Sequence, residues 1–357
     1  MRLLSRLLSD DLPRNRVLAV LLVLIVFGLA FAPFVFPGTK ALNVAAKIVV
    51  FIVLVASFDL LLGYTGIVSF AHTMFFGIGA YGIAIASARL GPGWAAVAVG
   101  VGAALLVSLL LSLLIGAFSL RVKAIFFAMI TLAVASAFLT LASQLSDFTG
   151  GEDGLSFKAP LALQPGTLYR DTPLLGVSID GRLLTYYLLF VVATLLVLAL
   201  LRIVNSPFGR VLQAIRENDF RAEAIGYRTV VYRTLSNVLS ALFATLAGCL
   251  LALWLRYNGP DTSLSFEIML DVLLIVVIGG MGTIYGAVVG SVLFVLAQSY
   301  FQDVMKWAAA GLEGVPLLSQ LVAPERWLLW LGILFVLSVY HFPSGLVGRL
   351  RAITKRP

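Results

Sequence analysis

Long apolar runs alternate with short polar connectors along almost the whole chain, and the runs show no strand-like alternation. The clearest runs cover residues 17–36, 41–62, 94–118, 124–145, 183–201, 234–253 and 327–341. Most hold roughly the 20 residues that an α-helix needs to cross about 30 Å of hydrocarbon. The pattern predicts an all-α polytopic membrane protein, a single transmembrane domain over residues 1–357 whose first run is an uncleaved helix.

Two glycine-rich stretches interrupt this pattern, and both predict breaks in helices. Residues 63–82, GYTGIVSFAHTMFFGIGAYG, cannot form an open strand in lipid, so we expect a break that leads into a glycine-rich helix. Between residues 267 and 302, GGMGTIYG separates two apolar runs. Counting both stretches, the sequence predicts about ten transmembrane helices, some broken or re-entrant. The predicted hinge positions are Gly63, Gly66, Gly279, Gly280 and Gly282.

Positive charges decide the expected orientation. With both termini in the cytoplasm, 16 Lys and Arg residues fall on cytoplasmic segments and eight outside, in accord with the positive-inside rule. The basic C-terminal tail reaches the cytoplasm only if residues 267–302 enter the membrane and return, turning at Gly279–Gly282. This topology makes residues 146–182 an extracytoplasmic loop, folded as a small cap or hairpin, and residues 203–230 a cytoplasmic loop.

Composition supports a membrane protein and excludes several other functions. Hydrophobic residues make up 61% of the chain and charged residues 12%, too few to cover a soluble surface. The formal charge of +8 does not indicate nucleic-acid binding, because most arginines flank apolar runs. One cysteine and two histidines predict neither an internal disulfide nor a metal site. No catalytic residues are expected, and no G-x-x-x-x-G-K-[ST] loop occurs, so any ATP must bind to another chain.

The most polar segment between apolar runs is SPFGRVLQAIRENDFRAEAIG, residues 206–226, which we name the arginine island. Ser206 followed by proline is a favourable helix start, and Asn218 can end one short helix and cap another. The island is therefore predicted to form two short amphipathic helices at the cytoplasmic face. Chemistry alone leaves two interpretations open, a connector whose arginines meet anionic lipid and a docking surface for a partner protein.

The arginine island resembles the cytoplasmic loop of the LivM-type permease subunits of branched-chain amino-acid ABC transporters. That family's loop reads Ser-x-x-Gly-Arg-x-x-x-Ala-Ile-Arg-Glu-Asn, then Ala-Glu-x-x-Gly. The matching residues are Ser206, Gly209, Arg210, Ala214, Ile215, Arg216, Glu217, Asn218, Ala222, Glu223 and Gly226. GYTGIVSFAH…FFGIGAY at 63–81 and VIGGMGTIYGAVVG at 277–290 are also typical of this family, so the resemblance spans about residues 40–300.

The resemblance implies a permease subunit that moves branched-chain or related amino acids inward by alternating access, in the bacterial cytoplasmic (inner) membrane. It implies a homologous second permease subunit, two ATPase subunits that bind ATP and Mg, an extracytoplasmic solute-binding protein and no cofactor on this chain. Membrane lipid is the remaining expected partner. The implied ATPase-coupling residues are Gly209, Arg210, Arg216, Glu217, Ala222, Glu223 and Gly226.

Two departures from the family pattern concern the solute. Asp59 begins an Asp-Leu-Leu-Leu-Gly segment where the family has Asn-Leu-Leu-Leu-Gly, and Phe70-Ala71 replaces a smaller pair before His72. Urea or short amides are therefore alternative solutes for the same class of permease. A secondary transporter driven by an ion gradient, with Asp59 or Asp271 as its coupling acid, is the alternative from another class.

Four polar residues within the spans are candidates for the solute path. Asp59 and Asp271 are intramembrane acids, and each charge costs roughly 2.5–3.5 kcal/mol at mid-bilayer, so both should face the protein interior. Ser69 and His72 lie beside a predicted helix break, where freed backbone groups can bind solute. The alternative for all four is a structural hydrogen bond to a neighbouring helix.

Overall fold

The computed structural model describes residues 15–36, 38–119, 124–169, 177–311, 323–342 and 344–353. The first five helices are α1 (Arg16–Val35), α2 (Thr39–Thr65), α3 (His72–Leu90), α4 (Trp94–Ser119) and α5 (Ala124–Gln144). The next five are α6 (Ser146–Thr149), α7 (Gly181–Val204), α8 (Pro207–Glu217), α9 (Asp219–Ala224) and α10 (Thr229–Leu255). The last five are α11 (Pro260–Ser263), α12 (Phe266–Gly279), α13 (Ile284–Gly311), α14 (Trp327–His341) and α15 (Gly345–Ile353).

The all-α polytopic fold predicted from the sequence is confirmed. Within the described ranges, ten helical segments are long and apolar enough to cross a membrane. Both predicted breaks are present, because α2 ends at Thr65 before α3 begins at His72, and α12 ends at Gly279 before α13 begins at Ile284. Helix α12 has only 14 residues, about 21 Å of rise, and reaches a spanning length only together with α11.

Helices α2, α3 and α10 form the centre of the bundle. Residues 48–61 of α2 are all buried, and small residues let the neighbouring backbones approach closely. A Cβ on Gly79 of α3 would collide with the Thr245 carbonyl of α10, and a Cβ on Gly248 of α10 would collide with the Phe76 carbonyl. Each of the two helices thus supplies one glycine that makes room for the backbone of the other helix.

Helices α1, α4, α5 and α14 lie at the periphery. Their apolar side chains are largely exposed, as expected for helices that face lipid or another subunit. The loop between α5 and α7 is ordered by short elements. Its strand β1 (Leu155–Ser156) pairs antiparallel with β2 (Tyr257–Asn258), which follows α10. The two connections at this end of the bundle, which we name the loop end, are thereby joined into one cap.

The main difference from the predicted elements concerns α13. The second apolar run of the 267–302 stretch ends near residue 301, but α13 continues to Gly311. Gln302, Asp303 and Lys306 are polar without being strong helix breakers, so they extend the helix beyond the apolar run. Asp303 also pairs with Lys40 near the start of α2.

The α3–α10 contact predicts a local effect of side-chain size. Gly248→Val should destabilise the protein by about 1–3 kcal/mol, because the added side chain must displace the α3 backbone at Phe76. Gly102→Val in α4 is the matched control, since a Cβ there meets nothing within 4 Å. Thermal unfolding of the detergent-purified variants measures the difference, and equal transition temperatures would contradict this packing.

Candidate functional site

The arginine island folds as two short helices, α8 and α9, joined at a single capping residue. The Ser206 side chain accepts a hydrogen bond from the Gly209 amide at 3.5 Å, with proline at the first helical position. Asn218 ends α8, and its side-chain oxygen accepts from the Arg221 amide at 2.9 Å to begin α9. The predicted helix–break–helix form follows directly from these local capping preferences.

Three contacts join the island to the start of α10. Asp219 pairs with Arg233 at 2.9 Å, and the Thr229 hydroxyl donates to the Glu223 carboxylate at 2.7 Å. The Phe208 ring stacks on Tyr232 with centroids 5.8 Å apart. The island is thus held against the central helix α10 by an ion pair, a hydrogen bond and a ring stack.

The other face of the island is open and partly apolar. Phe220 is 86% exposed and Ile225 is 67% exposed, although both are large apolar side chains. Arg210 and Glu217, two of the implied coupling residues, are exposed on the adjacent helix. Exposed aromatic and aliphatic residues beside charges are typical of a protein contact surface.

The other implied coupling residues shape the island rather than line its open face. Ala222 is buried, and a Cβ on Gly209 would collide with the Val204 carbonyl, so the start of α8 requires a glycine. Gly226 has φ +96°, in the left-handed region that favours glycine, and lets the chain turn from α9 into α10. The role of each in coupling stays a prediction.

Arg216 projects from the island towards both glycine motifs. Its guanidinium donates to the Gly63 carbonyl in the last turn of α2. The Asp59 carboxylate, 1% exposed, accepts from the Gly282 amide at 2.8 Å. A Cβ built on Gly282 would lie 3.0 Å from an Arg216 guanidinium nitrogen. A Cβ on Gly63 would collide with Asp59 and with the Gly282 backbone. We name Asp59, Gly63, Arg216 and Gly282 the hinge cluster.

The break between α2 and α3 lies inside the protein. His72 Nε2 is 3.0 Å from the Ser57 hydroxyl and 3.2 Å from the Leu54 carbonyl, halfway along α2. Ser69 is buried, and the Phe70 amide donates to the Thr131 hydroxyl of α5 at 3.0 Å. His72 therefore makes the helix–helix hydrogen bond that the sequence left open as an alternative to solute binding, while the unwound backbone stays a candidate for the path.

Asp271 belongs to a second polar group, near the loop end. Gln298 Nε2 donates to Asp271 at 3.2 Å, and the Lys47 ammonium donates to Gln298 Oε1 at 2.8 Å. The three side chains come from α12, α13 and α2, and all are partly exposed. Lys47 and Asp59 are 12 residues apart on α2, about 18 Å along the axis, so the candidate residues do not share one pocket.

Sequence reasoning did not identify four residues as candidates: Phe220, Ile225, Lys47 and Gln298. Phe220 and Ile225 were detectable as apolar residues on a short polar helix. Lys47 was visible as a charge within a span, but nothing local indicated its connection to Asp271 through Gln298, since the contacts cross 251 and 27 residues. Pairing within a helical bundle depends on rotation and depth of the helices, which hydropathy does not specify.

A family model described as the permease component of the branched-chain amino acid transport system matches residues 40–339. The chain belongs to this permease family. The permease is therefore a multi-pass membrane transport subunit rather than an enzyme, and the LivM-type resemblance is confirmed.

Curated relatives cover most of the permease. It is 26% identical to the high-affinity branched-chain amino acid transport system permease protein LivM of Salmonella typhimurium, over 85% of this chain and 73% of the relative. The LivM protein of Escherichia coli gives the same identity and coverage. A probable branched-chain amino acid transport permease protein LivM of Methanocaldococcus jannaschii is 28% identical over 72% of this chain and 71% of its own. No solved structure matches the permease.

The hinge cluster predicts a graded response at Asp59. Asp59→Ala leaves the buried Gly282 amide without an acceptor and should destabilise the permease by about 1–3 kcal/mol. Asp59→Asn keeps an acceptor oxygen and should be milder. Thermal unfolding in detergent compares the two, with the exposed Asp147→Ala as control. Equal losses in both Asp59 variants would show that the carboxylate does not act by accepting this hydrogen bond.

Proposed function

We propose that this chain is a permease subunit of an ATP-driven importer, moving branched-chain or related amino acids inward by alternating access. The observation that carries the proposal is the two-sided arginine island. One side exposes Phe220 and Ile225 for a partner, and the other places Arg216 on the Gly63 carbonyl of the hinge cluster. A partner that displaces the open side of the island would therefore also move the α2–α3 break and the α12–α13 turn.

The proposed sequence of events begins at the open face of the island. A separate ATPase subunit binds Phe220, Ile225 and the neighbouring charges in a groove, as apolar grooves bind amphipathic helices in other complexes. Closure of the ATPases on ATP displaces the island together with α10, to which Asp219 and Glu223 connect it. Arg216 transmits the displacement to Gly63 and, through Asp59, to the turn at Gly282. The bundle then changes the side on which it opens.

The proposed orientation places the island and both termini in the cytoplasm of a bacterial cell. The loop-end cap, tied by the β1–β2 pair, is then extracytoplasmic and is the proposed landing surface for a solute-binding protein. A second homologous permease subunit completes the path, and two ATPase subunits bind ATP and Mg. This chain needs no cofactor of its own. The long, largely exposed faces of α4 and α5 are available for a subunit or lipid.

If the island docks on an ATPase subunit, Phe220 should contribute a large share of the binding energy of that interface. Phe220→Ala should lower leucine-stimulated ATP hydrolysis by about tenfold or more, since truncating a buried interface anchor costs roughly 2 kcal/mol or more. The measurement uses the full complex, expressed with its own ATPase, second permease and binding protein and reconstituted in proteoliposomes. Arg202→Gln, exposed on the same side but outside the island, is the control and should leave the rate unchanged.

The same preparation tests the transporter class. Wild-type uptake of radiolabelled leucine should require ATP on the side of the membrane that carries the ATPase subunits. It should persist when proton and sodium gradients are collapsed. Uptake that follows an ion gradient without ATP would replace the proposal with a secondary transporter. Uptake of urea in place of leucine would keep the class and change the solute. Normal stimulation in Phe220→Ala would overturn the docking role of the island.

A further inference from the structure

Two opposite charges lie within the spans in the outer half of the permease, and the hinge cluster does not use them. Lys47 of α2 and Asp271 of α12 are both partly exposed, with Gln298 of α13 between them. Charged residues at such depth rarely face lipid and usually mark a solute or ion pathway. We therefore asked what the arrangement of the three side chains can bind.

The two charges are not in contact. Among the described residues, the ion pairs with nitrogen and oxygen within 4.0 Å are Lys40–Asp303 and Arg233–Asp219, and Lys47–Asp271 is not one of them. Lys47 donates one hydrogen bond to a side chain of the described part and Asp271 accepts one. An ammonium has three donors and a carboxylate about four acceptor positions, so both groups retain capacity for a ligand.

The amide of Gln298 shows what kind of ligand fits. Its carbonyl oxygen faces the Lys47 ammonium at 2.8 Å, and its amino group faces the Asp271 carboxylate at 3.2 Å. A free α-amino acid offers an acceptor and a donor in the same order, as a carboxylate and an ammonium. The bonds of Gln298 to Lys47 and Asp271 each have one charged partner. A zwitterion places an opposite charge on the other side of both contacts, which adds the attraction of two ion pairs and lets the solute displace the amide. A neutral amide or urea offers only what Gln298 already supplies.

The site is reachable from the outside in the proposed orientation. The exposed Lys40–Asp303 pair and Asn43 lie above it, towards the loop end. Lys47 is then the deepest position of this half of α2 with accessible surface, because residues 48–61 are all buried. The accessible surface of this half of α2 therefore ends at Lys47.

We propose that Lys47, Gln298 and Asp271 bind the charged head of a zwitterionic amino acid entering from the outside. Lys47 holds the solute carboxylate, Asp271 holds the solute ammonium, and Gln298 occupies the site between transport cycles. The proposal rests on the proposed importer function and names the chemical feature by which the permease itself selects amino acids over neutral solutes. It adds Lys47 and Gln298 to the path candidates.

Single substitutions test the recognition. Lys47→Met and Asp271→Asn should each raise the half-saturating leucine concentration for uptake by about tenfold or more, because each removes a charged partner of the solute. Co-purification of the ATPase subunits with each variant establishes that the complex has assembled. Lys40→Met and Asp303→Asn are the matched controls, since this exposed pair joins the same two helices, and they should leave the half-saturating concentration unaltered.

A charge reversal separates recognition from a structural ion pair. The double variant Lys47→Asp/Asp271→Lys restores opposite charges, so a structural pair would regain wild-type uptake. In a zwitterion site the exchange would swap the positions that hold the solute carboxylate and the solute ammonium. The solute side chain could then no longer occupy its original place, so we expect no recovery. Recovery in the double variant, or unchanged kinetics in both single variants, would overturn the proposal.

A labelling measurement covers the case in which the charge variants fail to assemble. Gln298→Cys, in a Cys249→Ala background, should react with a charged, water-soluble thiol reagent in the assembled complex, and leucine should slow the reaction while urea does not. Absence of leucine protection would contradict the site. If the wild-type complex shows no ATP-dependent leucine uptake, the importer function fails first. If it does and these variants behave as wild type, only the charged-head site fails.

Discussion

A polar backbone group that leaves a helix inside a membrane must find its partner within the protein, because lipid offers none. The two glycine breaks create such groups at neighbouring positions. The Gly282 amide, freed by the turn between α12 and α13, is accepted by Asp59, and the Gly63 carbonyl at the end of α2 is taken by Arg216. The rest of the hinge region depends on these two bonds, since either break would otherwise carry an unsatisfied group.

The same bonds have a mechanical consequence. Arg216 belongs to a segment held on α10, whereas Gly63 lies at the end of α2 and Gly282 in the turn between α12 and α13. Satisfying the backbone therefore also connects the island to both breaks through short, directional contacts rather than through a broad apolar surface. In the proposed mechanism these contacts are the route by which the island acts on both breaks.

Hydropathy and capping chemistry predicted most of the architecture. The ten spans, the two breaks and the helix pair around Asn218 are local properties, each readable within some 20 residues. The reach of Arg216 to Gly63 and the group formed by Lys47, Gln298 and Asp271 were not predictable in this way. Both arise when helices distant in sequence are rotated against one another, and burial of apolar surface alone does not select one rotation among several. Site assignments from sequence were accordingly weakest where polar residues cross between helices.

The departure at residue 59 can be interpreted in the same terms. An asparagine, as in the family pattern, supplies a side-chain oxygen for the Gly282 amide, and Asp59 supplies an oxygen to the same amide. Either side chain can therefore satisfy the turn, and the position lies about 18 Å from Lys47 along α2. The departure that first suggested a different solute thus concerns the hinge cluster. In our proposal the solute is recognised instead by Lys47 and Asp271, whose opposite charges match an amino acid better than an uncharged amide.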